Sequence, residues 1–302
     1  MPDSRVLIFS VLLGISCVTT GYAQSLLSNQ ETSAMSDWLD SAAAFLPENT
    51  LPRAILQQYL RGHLTLNFVA ADGVPASDSP MALLTRAVQC ADLNRFDYCT
   101  DNGAVFSWIQ ADSNNLTPYL LLTKRTVRSN EESALTYLLE GLQAGKVDSY
   151  YFPRFMALRE VLREIGILPG RRNFIAELLL VPSLQEIYGS LISICTARVA
   201  QSQEWAEACL RLADKLETGE TFYANVLGAA IRRDVVPLIS SDEAEIAVAL
   251  ERRATYDQVR QQAQRTLDWW TNPEGRPESW YRDSLEIGEL AALRKALEQA
   301  GN

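Results

Sequence analysis

Apolar residues in this chain recur at three- and four-residue steps, the spacing that puts side chains on one face of a helix. The pattern is clearest between Ala104 and Gly145. Ala104, Trp108 and Ala111 share one face, and Asp112-Ser113-Asn114-Asn115 ends that helix, because such side chains hydrogen-bond their own backbone in turns. Pro118 fits the first turn of a second helix, whose apolar surface is Leu121, Leu122 and Val127. Ser129 and Glu132 have capping-box spacing before a third helix, in which Leu135, Leu138, Leu139 and Leu142 form a stripe too wide to leave in water. Three short helices packed back and forth are predicted.

The same spacing extends outward in both directions. Met35, Trp38, Leu39 and Ala42 form one early helix, and Ile55 to His63 another after Pro52; Ala70 to Pro80 is the clearest loop. Pro80 starts a helix carrying Leu83, Leu84 and Ala87. Past Gly145 lies an aromatic group, Tyr150, Tyr151, Phe152 and Phe155, leading into a helix to Ile165. Gly166, Pro169 and Gly170 then mark a soft domain boundary. Leu184, Ile187, Tyr188, Leu191, Ile192, Cys195 and Val199 read as one regular helix, and Trp205, Cys209, Leu212 and Leu216 as its partner. Further helices are predicted over 222–233, over 242–270 with Ser240 and Glu243 as a capping box, and over 285–299. No alternating run argues for a sheet. The expected fold is all-α: antiparallel helical hairpins stacked as an array, in one body or two subdomains. The expected divisions are residues 1–23, 24–79, 80–170 and 171–302.

Ala104-x3-Trp108-x2-Ala111 and Ala134-x3-Leu138-x2-Gly141 repeat a small–large–small spacing, with Pro118 near where a closing proline would fall. In this the stretch resembles a degenerate tetratricopeptide-type (TPR-like) repeat. Helical hairpins with paired cysteines also look like the exported Sel1-like repeat proteins. The resemblance implies a concave binding surface and a scaffold or adaptor role, and names no partner.

The chain has 302 residues, 47% of them hydrophobic, which is ample for a core. A net charge of −10 argues against nucleic acid, which needs a basic footprint. Residues 1–23 read as an export signal: Arg5 at the start, an apolar core from Val6 to Val18, and Gly21-Tyr22-Ala23 as the cleavage site. That core is too short to span a bilayer, and no later run reaches transmembrane length. Lipid attachment at Cys17 is disfavoured by Gly14, where a bulky aliphatic residue is needed. The expectation is a soluble protein exported to a bacterial periplasm.

Four cysteines then remain. Cys195 and Cys209 are symmetric about Ser202, in the turn Gln201-Ser202-Gln203, and Cys90 and Cys99 are symmetric about Asn94–Arg95. Positions equally far from the turn face each other in an antiparallel hairpin, so Cys90–Cys99 and Cys195–Cys209 are the predicted disulfides. Neither pair has zinc-site spacing or histidine neighbours.

The catalytic inventory is sparse. His63 is the only histidine and sits in a leucine-rich pattern without a nucleophile motif. Glu278-Ser279 matches the catalytic dipeptide of lytic transglycosylases, but that family's following segment is absent, so Glu278 reads as a first-turn residue. Arg252, Arg253, Arg260 and Arg265 read as a solvated face. Asn115-Leu116-Thr117 matches a glycosylation acceptor and is assigned no role. Trp269, Trp270, Trp280 and Tyr281 are the candidate partner surface, weighed against turn packing. No catalytic, cofactor or metal residue is assigned. The expected function is an exported, non-enzymatic protein that binds a protein or envelope component. The alternative is an envelope hydrolase or glycan-active enzyme using unrecognised carboxylates; a carboxyl pair in a concave pocket would favour it.

Overall fold

The computed structural model describes residues 80–89, 103–164, 166–270 and 275–301. The expected export signal, Cys17, the helices of residues 24–79, His63, Cys90 and Cys99 lie outside these residues.

The described residues are all-α. The helices are α1 (Pro80–Gln89), α2 (Gly103–Ala111), α3 (Thr117–Thr126), α4 (Glu131–Gly141), α5 (Tyr151–Glu164) and α6 (Pro169–Tyr188). They continue as α7 (Leu191–Val199), α8 (Gln203–Glu217), α9 (Phe222–Ile239), α10 (Glu243–Thr266), α11 (Glu278–Ile287) and α12 (Glu289–Ala300). An isolated parallel bridge between Asn115 and Lys146 is the one trace of extended pairing among them.

Two apolar cores organise the packing. The first is built on α1–α4, the end of α6, and α7–α9. Helix α3 runs through it with Leu120, Leu121 and Leu122 all buried, as expected of a helix covered on more than one side. Gly141 of α4 faces it, and a Cβ there would lie 2.5 Å from the Tyr119 Cβ, so the missing side chain sets how closely the two helices approach. In α8, Trp205, Cys209, Leu212 and Leu216 are buried along one stripe, as the spacing predicts. The second core joins α5, the start of α6, the end of α10, α11 and α12.

Several local expectations are corrected. Residues 166–168 separate α5 from α6, which pack against each other; Pro169 and Gly170 already belong to α6, with Pro169 in its first turn, where its missing N–H costs nothing. The stripe from Leu184 to Val199 is split between α6 and α7, because Ser190 adopts φ 64° after Gly189 and cannot continue a right-handed helix. Gly288, at φ 80°, likewise divides the final helix into α11 and α12. The caps are Asn130, which accepts from the Ser133 N–H, and Asp242, which accepts from the Ala244 N–H, not Ser129 and Ser240. Each true cap directly precedes its helix, where its oxygen reaches the free amides.

Candidate functional site

Of the two readings weighed for the aromatic residues, partner surface or turn packing, their burial favours packing. Helix α10 ends at Thr266, so Trp269 and Trp270 sit in a turn and are not bound by helical angles. Trp270, Trp280 and Tyr281 are buried, and only Trp269 is partly exposed. The Trp269 and Trp280 rings lie 5.2 Å apart, Trp270 and Trp280 5.9 Å, and Tyr281 stacks on Phe155 at 4.5 Å. The chain doubles back here, and the partner-surface expectation gives way to packing of the second core.

Glu278 opens α11, as a first-turn residue, and its carboxylate is gripped by both terminal nitrogens of Arg159. That contact holds its pKa below the usual carboxylate value, the wrong direction for a glycosidic general acid. Three of the arginines of α10 are engaged as well. Arg253 bonds Asp257 at 3.0 Å, Arg252 reaches Glu217 at 3.5 Å, and Arg260 lies 3.3 Å from Asp257.

The most connected polar group is at a junction of three loops. Asn115 donates to Asp112 and to the Asp148 carbonyl, and its Oδ1 accepts from the Thr117 and Asp148 amides. It thereby ties the α2–α3 turn to the α4–α5 loop. Lys146 sits between Asp112 at 3.0 Å and Asp148 at 3.5 Å. Tyr150 takes φ 51°, a left-handed conformation unfavourable for an aromatic residue, and is held there by its amide bond to Asp148 Oδ1 and its hydroxyl bond to Asp112.

Glu220, from the α8–α9 turn, completes the junction. Its Oε1 accepts from both the amide and the hydroxyl of Ser149, at 3.1 and 3.0 Å, and its carbonyl accepts from the Glu289 amide. The nearby Asp148 carboxylate acts on the Glu220 carboxyl as a like charge. Burial first, and Asp148 second, push Glu220 up to about 8, far above an ordinary carboxylic acid. A cavity of about 380 Å³ opens here, lined by residues 145–148, Lys215, residues 218–220, Ile287 and Gly288. Sequence reasoning missed Asp148 and Glu220 because each reads alone as a turn residue; the only local signal is a glycine nearby, Gly145 and Gly219.

A second missed feature is the tip of the α9–α10 hairpin. Leu238, Ile239, Val248 and Leu250 are 54%, 41%, 52% and 50% exposed, while Ala249 faces inward. Asp242, Glu243, Glu245 and Glu251 are exposed beside them. The signal was the run Val235-Val236-Pro237-Leu238-Ile239, more consecutive apolar residues than one helix face can bury.

The class defined is an all-α protein with one disulfide, Cys195–Cys209, among the described residues. Among those residues no helix is long and apolar enough to cross a membrane, and no three metal-binding side chains converge. No protein-family model, curated protein or solved structure matches the chain.

Proposed function

We propose that this chain is an exported, non-enzymatic helical scaffold that docks a partner protein through the tip of the α9–α10 hairpin. The observation that carries the reading is the exposure of Leu238, Ile239, Val248 and Leu250 on one helical hairpin; Phe106, Leu168, Leu285 and Ile287, the other exposed large apolar residues described, are scattered over other elements. Large apolar side chains left in water on one hairpin mark association surfaces more often than chance. The four carboxylates around them select the partner: an apolar groove rimmed by lysine or arginine, not an anionic lipid surface. Stacked hairpins such as α3–α4, α7–α8 and α8–α9 suit the TPR-like scaffold that the sequence resembles. The Cys195–Cys209 bond suits the oxidising compartment implied by the amino-terminal export pattern.

The test compares capture from a cell-envelope extract by the wild-type mature protein and by a Leu238→Asp/Val248→Asp variant. Both changes are at exposed positions, so equal thermal stability is expected. A partner identified with the wild type is purified, and its Kd measured against both forms. Loss of at least about thirtyfold in the variant, with weaker binding at high salt, is the expected result for a docking hot spot. Equal affinity for both, or no partner under mild crosslinking, would sink the reading.

The carboxylate-enzyme alternative draws on one observation, the Asp148–Glu220 pair beside a cavity. Glycan cleavage by this pair requires the two carboxyls to stand about 5–5.5 Å or about 6.5–9.5 Å apart, to admit the sugar or a water.

A further inference from the structure

We propose that the loop between α5 and α6 contacts an anionic lipid surface: Leu168 enters the headgroup layer while Arg163 and Arg171 beside it meet the lipid phosphates. This is independent of the docking reading, which concerns the α9–α10 tip, where the flanking charges are of the opposite sign.

The loop is short and held from within. Gly166, at φ 83°, closes α5, and the Ile167 amide donates to the Leu162 carbonyl at 2.9 Å. Ile167 packs against the second core, and its carbonyl accepts from Arg172 Nε. Leu168 does the opposite. It is 71% exposed, more than any other large apolar residue described, with Gly166 and Pro169 exposed beside it. Nor does this sequence serve the helix that follows. Leu168 is the N-cap of α6 and makes no side-chain cap bond, at a position where Ser, Thr, Asp or Asn would bond a free amide. Arg171 and Arg172 then occupy a first turn without an acidic residue, against the helix dipole. Local choices that work against the fold at one spot point to a function there.

Against a negatively charged, oily interface the same choices become favourable. Residues 159–172 carry four arginines and two glutamates in a chain of net charge −10, so the loop is a basic spot on an acidic molecule. Arg163 and Arg171 are exposed. Arg163 pairs with Glu160 in an exposed contact one helical turn away, which gives way easily. Arg159 reaches across to Glu278 and so brings the first turn of α11 to the same place, where Arg172 and Arg282 also act on that carboxylate. The exposed Arg282 therefore widens the basic field. An acidic protein would answer the charge as well. A stable protein interface, however, buries about 800 Å² on each partner, and one leucine on a projecting turn supplies little of that. A bilayer closes round a single side chain and needs no matching shape, and each arginine near its surface strengthens the contact.

Sedimentation of the intact mature protein with phosphatidylcholine vesicles, with and without about 30% phosphatidylglycerol, tests this. Partitioning should be at least about tenfold stronger onto the anionic vesicles and should weaken at high salt. Leu168→Ser supplies the missing cap oxygen, so its thermal stability should equal or exceed that of the wild type while partitioning falls about tenfold. Arg163→Gln/Arg171→Gln should lose a similar factor, about tenfold or more. Leu238→Ser/Val248→Ser, at the docking tip, should partition as the wild type does. Inorganic phosphate at constant ionic strength should leave the protein on the vesicles; displacement would make this a site for free phosphate and overturn the surface contact. Equal partitioning onto both vesicle types would also overturn it, as would a Leu168→Ser protein that partitions like the wild type. No partitioning at all would overturn it in favour of an acidic protein as the occupant.

Discussion

Cys195 and Cys209 are joined across the α7–α8 turn with their Cα atoms 5.8 Å apart and Ser202 midway between them in sequence. Ser202 caps α8 by accepting from the Trp205 amide, so the turn and the bridge fix the same register. Both sulfurs are buried in the first core. Replacing both cysteines by alanine should cost about 3 kcal/mol, the loop-closure entropy returned to the unfolded chain for a loop of about this size. Urea unfolding is the measurement. The denaturant slope should rise along with the loss, because an unbridged chain exposes more surface on unfolding.

Asn225 predicts a sharper contrast. Its buried side-chain amide donates to the carbonyls of Leu216, Glu217 and Gly219, at 3.2, 3.0 and 2.9 Å, and so finishes the end of α8 from within α9. Asn225→Ala should cost about 1–3 kcal/mol by leaving buried carbonyls without a donor. Asn225→Asp keeps the shape but faces those carbonyls with an acceptor, and should cost more. Urea titrations that rank Ala below Asp in stability would refute this role. The close crossing that makes it possible depends on Gly228, where a Cβ would lie 2.5 Å from the Ala213 carbonyl oxygen.

These contacts show which parts of the molecule a one-dimensional reading can reach. Helices and the α7–α8 disulfide were legible because both follow from local periodicity: Cys195 lies in one stripe, Cys209 in the next, and a short polar turn leaves few ways to pair them. Helix ends were less legible. Ser129 and Asn130, or Ser240 and Asp242, are both competent caps, and backbone geometry chooses between them. The junction of Asp112, Asn115, Asp148, Ser149 and Glu220 was not legible, because its members are scattered over more than a hundred positions and each looks like turn chemistry. The tryptophans were half legible: turn packing was one of the two readings weighed, but helical spacing could not choose it, because α10 has already ended at Thr266.

The second core contains a buried ion pair between Arg276 and Glu177, whose side chains are only 10% and 9% exposed. Arg276 also donates to the Trp270 carbonyl at 3.1 Å and lies over that indole ring. Removing one member leaves the other charge buried without its partner, so Arg276→Met should cost about 3–5 kcal/mol. The double change Arg276→Met/Glu177→Leu should recover much of that loss, and a double-mutant cycle reads the coupling. Burial already raises the Glu177 pKa against the pull of Arg276. Without the arginine the carboxyl takes a proton more readily. The single variant should therefore lose less stability at pH 5 than at pH 7, and an equal loss at both would contradict the pairing.

Glu289 gives the pH dependence with the clearest sign. It opens α12, and its Oε2 accepts from the Phe222 amide at 2.7 Å, where α9 begins. Burial raises its pKa from 4.5 to about 7, outweighing the Phe222 bond and Arg276, which both lower it. The folded form therefore holds a proton that the unfolded chain has already released. The associated stability is fully present below pH 4.5 and is lost as the pH rises through about 7. Its slope is about 1.4 kcal/mol per pH unit at most. Glu220 adds a fall of the same sign that continues to about pH 8, so the wild-type curve alone cannot separate the two. Glu289→Gln keeps an acceptor for Phe222 and does not titrate. Subtracting its unfolding free energy from that of the wild type at each pH should give a difference that declines between pH 5 and 7 and is level above. A difference that is flat throughout, or one that rises with pH, would mean that Glu289 carries its charge in the folded protein.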